Sequence, residues 1–191
     1  MMTAAKTAKK IFFAGSSHTR MFFMYMKELF AGRAVVSRLP YNAGNTAEIL
    51  ATIISWPLAD KDIVHVYAGH RDLMPDDDGR PVIGPEQFAV NLERITAILR
   101  ARCPGIIVFS NIPPVAENFL PTDPQRNKRI MEYNVIIAAV AEDSGIPVHD
   151  FHRFVAAISG SEEKYLDGLH LTRRFYKEYA ANLAAFLNQL L

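Results

Sequence analysis

Apolar residues along this chain follow two rhythms. Short unbroken runs occur at Ile11–Ala14, Ala34–Ser37, Ile63–Ala68, Ile106–Ser110 and Pro147–His149, rich in β-branched or aromatic residues and ending in polar or turn-forming ones. Runs of this length and make-up suit strands buried on both faces. Between them the spacing changes to the helical period, over Thr19–Phe30, Ala47–Trp56, Pro85–Arg102, Gln125–Asp143 and Thr172–Leu191. In Pro85–Arg102 the stripe is explicit, with Phe88, Leu92, Ile95 and Leu99 on one face. Gly32, Pro57, Pro104–Gly105 and Gly145 fall where those elements must end, since glycine and proline interrupt regular backbone.

Strand–helix alternation repeated this often predicts a parallel sheet with right-handed crossovers and helices on both faces. No internal repeat, low-complexity tract or linker divides it, so residues 1–191 read as one domain. Two segments carry no regular period. Leu73–Gly84 contains the acidic run Asp76–Asp78, which reads as a solvated loop tip because it lacks the glycine and distal Glu of an EF-hand loop. Asn111–Asp123 is proline-rich.

Composition narrows the function. Half the residues are hydrophobic and 21% are charged, with 21 Lys and Arg against 20 Asp and Glu. A net charge of +1 supplies no long-range field to hold polyphosphate or an anionic membrane, which speaks against a nucleic-acid partner. The single cysteine, Cys103, excludes an internal disulfide and any multi-cysteine metal site. No apolar run approaches the ~20 residues that span a bilayer, and the run after the N-terminal lysines is too short for a signal-peptide core. A cytoplasmic protein without membrane insertion is expected.

In open α/β sheets the chemistry sits beyond the carboxyl ends of the strands. That edge collects Gly15–Thr19, Asn42–Thr46, Gly69–Asp72 and Asn111–Pro114, and the loop Asp167–His170 before the last helix can fold over it. A serine hydroxyl needs a base, and the base a group that fixes its tautomer. Asp167 and His170, three residues apart on one loop, can present both functions to one side chain. Ser16 and Ser17 lie in a tight turn at a helix start, where free N–H groups favour negative charge. Helix capping is the alternative use of either serine, and chemistry alone does not choose between them.

Several blocks together resemble the SGNH (GDSL-type) hydrolase family over nearly the full length. IFFAGSSHT is similar to the family's G-D-S-x-T block, YNAGNT to its N-x-G, VHVYAGHRD to its G-x-N-D and YLDGLHLT to its D-G-x-H. The resemblance implies a flavodoxin-like three-layer α/β/α sandwich with a five-stranded parallel sheet. It implies Ser17 as nucleophile, His170 and Asp167 as its partners, and an oxyanion hole built from Ser17, Gly44 and the position of Arg71. His18, His70 and Asn45 become the candidate substrate contacts, and Asp150 a structural residue. The implied activity is that of a serine esterase-type hydrolase or acyltransferase, acting on a short-chain acyl ester of a saccharide or small molecule. No cofactor or metal is called for, and the oligomeric state is left open.

Two positions depart from the family pattern. Ser16 stands where Asp usually supports the first turn. Arg71 stands where an Asn usually completes the oxyanion hole, and losing one such donor costs about 10²–10³ in rate. A guanidinium can replace that donor, bind an anionic group of the substrate, or mark a site that has turned from catalysis to binding an acylated or anionic ligand. Elsewhere, His18 reads as exposed at its helix start, and His149 and His152 flank Asp150 without a spacing that makes them converge on a metal. The Phe and Met stripe of Met21–Phe30 reads as core.

Overall fold

The structure, a computed structural model, describes residues 8–117, 119, 123–159 and 163–191. Five strands, β1 (Lys9–Ala14), β2 (Ala34–Arg38), β3 (Ile63–Tyr67), β4 (Ile106–Ser110) and β5 (Val148–His149), form one parallel sheet in the order β2-β1-β3-β4-β5. This is the expected α/β sandwich with a five-stranded parallel sheet. The helices are α1 (Ser17–Leu29), α2 (Thr46–Thr52), α3 (Pro85–Arg102), α4 (Arg126–Asp143), α5 (Phe151–Ala156) and α6 (Arg173–Asn188), with a 3₁₀ turn at Ile53–Ser55.

Alternation along β1 shows how the layers form. Phe12 and Ala14 enter a core with residues of α2, α3 and α4, while Ile11 and Phe13 enter one with α1, α5 and α6. Side chains of successive strand residues point to opposite faces, so a strand feeding two cores must be apolar throughout. All five residues of β3 are buried, as its central place in the sheet demands. The stripe of α1 packs inward through Phe22, Phe23 and Met26, with Met24 on the exposed face. Cys103 is a buried free thiol at the C-cap of α3.

The element bounds differ from the sequence expectation where local chemistry overrides period. The apolar spacing of Ala47–Trp56 predicts one helix, but the backbone tightens to 3₁₀ at Ile53 before Pro57 ends it. Six-residue α5 is too short for a periodic stripe, and its start is set by Asp150, whose carboxylate accepts from the Arg153 N–H at 2.8 Å. The acidic run bends in a loop in which Asp76 accepts from the N–H groups of Asp78 and Arg80. The lysine-bearing segment 1–7 and parts of the proline-rich loop, residues 118 and 120–122, lie outside the described residues. Among the described residues no helix is long and apolar enough to cross a membrane.

Candidate active site

At the carboxyl end of β1 the chain must turn at once into α1. Gly15 makes the turn possible, because a Cβ there would stand 2.9 Å from the Tyr67 carbonyl oxygen. Ser16 occupies the N-cap position of α1 with no side-chain cap, and its buried hydroxyl has no partner among the described residues. Ser17 follows as the first helical residue, half-buried, at the end where N–H groups lack acceptors inside the helix.

The loop before α6 brings the other two groups. Its stem is closed by a Tyr165–Leu171 bridge, and the Leu166 N–H donates to the His170 carbonyl at 2.7 Å. The Tyr165 hydroxyl donates to the Pro114 carbonyl at 2.8 Å, and the Ala116 N–H to that of Gly168 at 2.7 Å, fixing the loop against the segment after β4. In this setting His170 Nε2 lies 2.7 Å from Ser17 Oγ and His170 Nδ1 lies 2.7 Å from Asp167 Oδ2. Asp167 Oδ1 also accepts from the backbone N–H groups of Leu169 and His170. Partial burial works to raise the Asp167 carboxyl, but the hydrogen bonds from the backbone and ring of His170 and from Leu169 hold it below the usual carboxylate range. An ionised Asp167 facing Nδ1 leaves Nε2 free to accept a hydroxyl proton.

The next two edge segments border the same space. Gly44, buried at φ +81°, precedes the N-cap of α2. A Cβ on it would run into the Glu48 side chain, so the close approach of this backbone depends on glycine. The Gly44 segment is tied to the loop after β3: Asp72 Oδ1 accepts from the Thr46 N–H at 2.8 Å and the Thr46 hydroxyl at 2.5 Å. That loop is held from its other side by Arg126 of α4, whose buried guanidinium donates to the His70 carbonyl at 2.8 Å and to that of Leu73. A cavity of about 340 Å³ opens over Ser17 and His170, with Gly44, His70 and Arg71 in its wall. Met74, Phe119 and Leu169 give it an apolar side. A larger open groove of about 660 Å³ runs between β5, α5 and α6, away from Ser17. The smaller cavity is the one onto which Ser17, His170, Gly44 and Arg71 converge.

The structure thus brings Ser17, Asp167, His170, Gly44, His70 and Arg71 together. Arg71 is exposed at the rim and, among the described residues, makes no hydrogen bond or ion pair. Asp72, a partner it could have taken, is instead buried against Thr46. The other two candidate substrate contacts, His18 in the cavity wall and Asn45 beside Gly44, are each held by protein partners. His18 is 1% exposed rather than open at the helix start, because α6 lays Tyr176 over it and the phenol meets His18 Nδ1 at 2.7 Å. Asn45 caps α2: its side chain accepts from the Glu48 N–H at 3.0 Å and the Glu48 carboxylate returns to the Asn45 N–H, a complete capping box. That N-x-x-E spacing was readable in the sequence. Tyr176, Arg126 and Thr46, which position the site from a distance, carried no such local signal.

His149 and His152 do not form a metal cluster among the described residues. His149 Nε2 pairs with the Asn182 side chain at 2.8 Å, and the His152 N–H donates to Asn111.

The family model for GDSL-like lipases and acylhydrolases matches residues 15–178. No curated protein matches the sequence. Among solved structures, a lipase/acylhydrolase from Enterococcus faecalis superposes with a TM-score of 0.76 at 20% identity, over 95% of this chain and 96% of that one. An acetylxylan esterase from Geobacillus stearothermophilus gives 0.74 at 14% identity, over 97% and 96%. An aryl esterase from M. smegmatis gives 0.71 at 14%, over 96% and 100%. At such identities these likenesses speak for the fold.

Proposed function

This chain belongs to the GDSL-like lipase/acylhydrolase family, and from that premise we propose that it cleaves small acyl esters with Ser17 as nucleophile, His170 as base and Asp167 as its orienting carboxylate. The continuous relay from Asp167 Oδ2 to Ser17 Oγ, both links at 2.7 Å, carries this reading. Ser17 Oγ attacks the ester carbonyl carbon while its proton passes to His170 Nε2. The tetrahedral oxygen takes the N–H groups of Ser17 and Gly44, with the Arg71 guanidinium in place of an amide. As the intermediate collapses, Nε2 returns the proton to the leaving alcohol and the acyl group stays on Ser17. Water, activated by His170, then releases the acid. A sugar hydroxyl entering in place of water would make the same machinery an acyltransferase.

The small cavity with its apolar side favours a short acyl group, an acetyl ester of a saccharide or small molecule among them. Hydrolysis of short-chain p-nitrophenyl esters tests the reading: turnover is expected from the wild type and its loss from Ser17→Ala, and equal rates would reject it. A second reading is kept alive by Arg71, an exposed cation where a neutral amide is usual, and by the unpartnered Ser16 hydroxyl. The site would then bind an acylated or anionic ligand without turnover, visible as ligand-induced thermal stabilisation of a protein that hydrolyses nothing.

A further inference from the structure

One ring in contact with the catalytic histidine has no part in the ester chemistry above. His18 lies one residue beyond Ser17 on α1, and its ring centroid is 5.3 Å from that of His170 at an interplanar angle of 37°. His70 stacks on it at 5.3 Å and 23°. Tyr67 and Phe151 meet it edge-on at 5.4 and 5.5 Å, enclosing it in aromatic surface. The Tyr176 phenol anchors it at Nδ1.

The titratable groups facing this ring are Tyr67 and His70 from β3 and its following loop, Asp167 and His170 from the catalytic loop, and Tyr176 from α6. Arg126 reaches in from α4 behind His70. Burial, reinforced by the neighbouring His170, pushes the His18 pKa down to about 3, and burial likewise holds His70 well below its ordinary value. His18 and His70 therefore both stay neutral at neutral pH, where a charged neighbour would repel an imidazolium.

We propose that His18 is a positioning residue for the base: its neutral ring face holds the His170 imidazole toward Ser17 and stabilises the imidazolium that forms when Ser17 gives up its proton. The proposal rests on the catalytic reading given above. A cation within about 6 Å of an aromatic centroid is attracted to the ring face, and the tilted His170 ring, its centroid 5.3 Å from that of His18, lies inside that range. Asp167 fixes the far end of the imidazole, but its side chain is 54% exposed, so solvent competes for that contact. The buried ring of His18 supplies support that solvent does not reach.

The test compares His18→Leu, which fills the volume without a π face, with His18→Phe, which keeps an aromatic ring against His170 and loses only the Tyr176 hydrogen bond. Steady-state kinetics on p-nitrophenyl acetate across pH 5–9, with a circular-dichroism melt of each protein, give the readouts. His18→Leu is expected to lower kcat about two- to fivefold with KM within about twofold. It should also move the acid limb of the kcat/KM profile about half a unit to lower pH. His18→Phe should recover most of both changes. Equal losses in the two variants with an unmoved acid limb would overturn the proposal, as would a rise in KM at constant kcat, which would assign His18 to substrate. Should His18→Leu fail to fold, Tyr176→Phe carries the test, since freeing the ring should cost about two- to fivefold in kcat and an unchanged kcat would refute the anchoring. A wild type that neither turns over ester nor reacts at Ser17 with a fluorophosphonate would instead remove the catalytic reading itself.

Discussion

Replacing Asp72 by Asn should stabilise this protein more as the pH rises. The carboxylate is fully buried; Oδ1 serves Thr46, while Oδ2 has no partner among the described residues. Burial raises its pKa from 3.8 to about 6, against the opposing effect of the Thr46 hydrogen bonds. The folded state therefore prefers the neutral carboxyl. In the unfolded chain the group ionises first, so between about pH 4 and pH 6 the folded state binds more protons and stability falls as pH rises. Above both values the penalty is about 3 kcal/mol. At pH 4.5 only about 1 kcal/mol of it has developed. Asn keeps a carbonyl oxygen for Thr46 and carries no charge, at the pH-independent cost of about 1–3 kcal/mol for an unpaired buried amide. Urea unfolding of both proteins at pH 4.5 and pH 8 isolates the effect, since the amide cost cancels in the comparison. The variant should gain about 2 kcal/mol relative to wild type between those pH values, or about 4–8 °C in Tm. A difference that is the same at both pH values would show that the buried carboxylate is not penalised. One that moves against the variant at pH 8 would show that Thr46 holds it as an anion.

Other consequences concern single residues around the cavity. Asn45→Ala should lose the capping box, costing about 1 kcal/mol in urea unfolding, while kcat and KM on p-nitrophenyl acetate stay at wild-type values; a large rise in KM would return Asn45 to the substrate site. Gly44→Ala forces a side chain onto φ +81° against Glu48 and should cost about 1–3 kcal/mol in stability and about 10²-fold in kcat. Normal turnover by the folded variant would take Gly44 out of the oxyanion hole. Arg71→Ala separates two roles: a fall in kcat of about 10-fold or more on neutral esters, partly restored by Arg71→Asn, marks an oxyanion donor. A rise in KM confined to esters bearing a carboxylate marks an anion subsite instead.

How far the sequence reached depended on how local the cause was. Strands such as β3 and β4, buried on both faces, could be nothing but short apolar runs, and α3 displayed its stripe between a proline start and Pro104. The candidate site residues could be grouped because each follows a strand or precedes a helix, and the parallel topology gathers those positions at one edge. The short α5 fell below the length at which period speaks, although its Asp150 cap was in plain view. The placement of His18 was read wrongly for a different reason. Its burial is decided by Tyr176 of α6, 158 residues away, and a contact of that range leaves no trace in local pattern. The hydrogen bonds between Asp72 and Thr46, and between Arg126 and the loop after β3, are of the same kind. They join segments far apart in the chain and give the site its rigidity without any motif of their own.

The relay from Asp167 through His170 to Ser17 is tested most directly by covalent capture. Incubating the protein with a fluorophosphonate and locating the adduct by peptide mass spectrometry should find a single phosphonylated residue, Ser17. Labelling should fall to background in Ser17→Ala and drop steeply in His170→Ala, because without its base the hydroxyl is a weak nucleophile. An adduct on Ser16, or undiminished labelling and ester turnover in Ser17→Ala, would contradict the assignment at its centre.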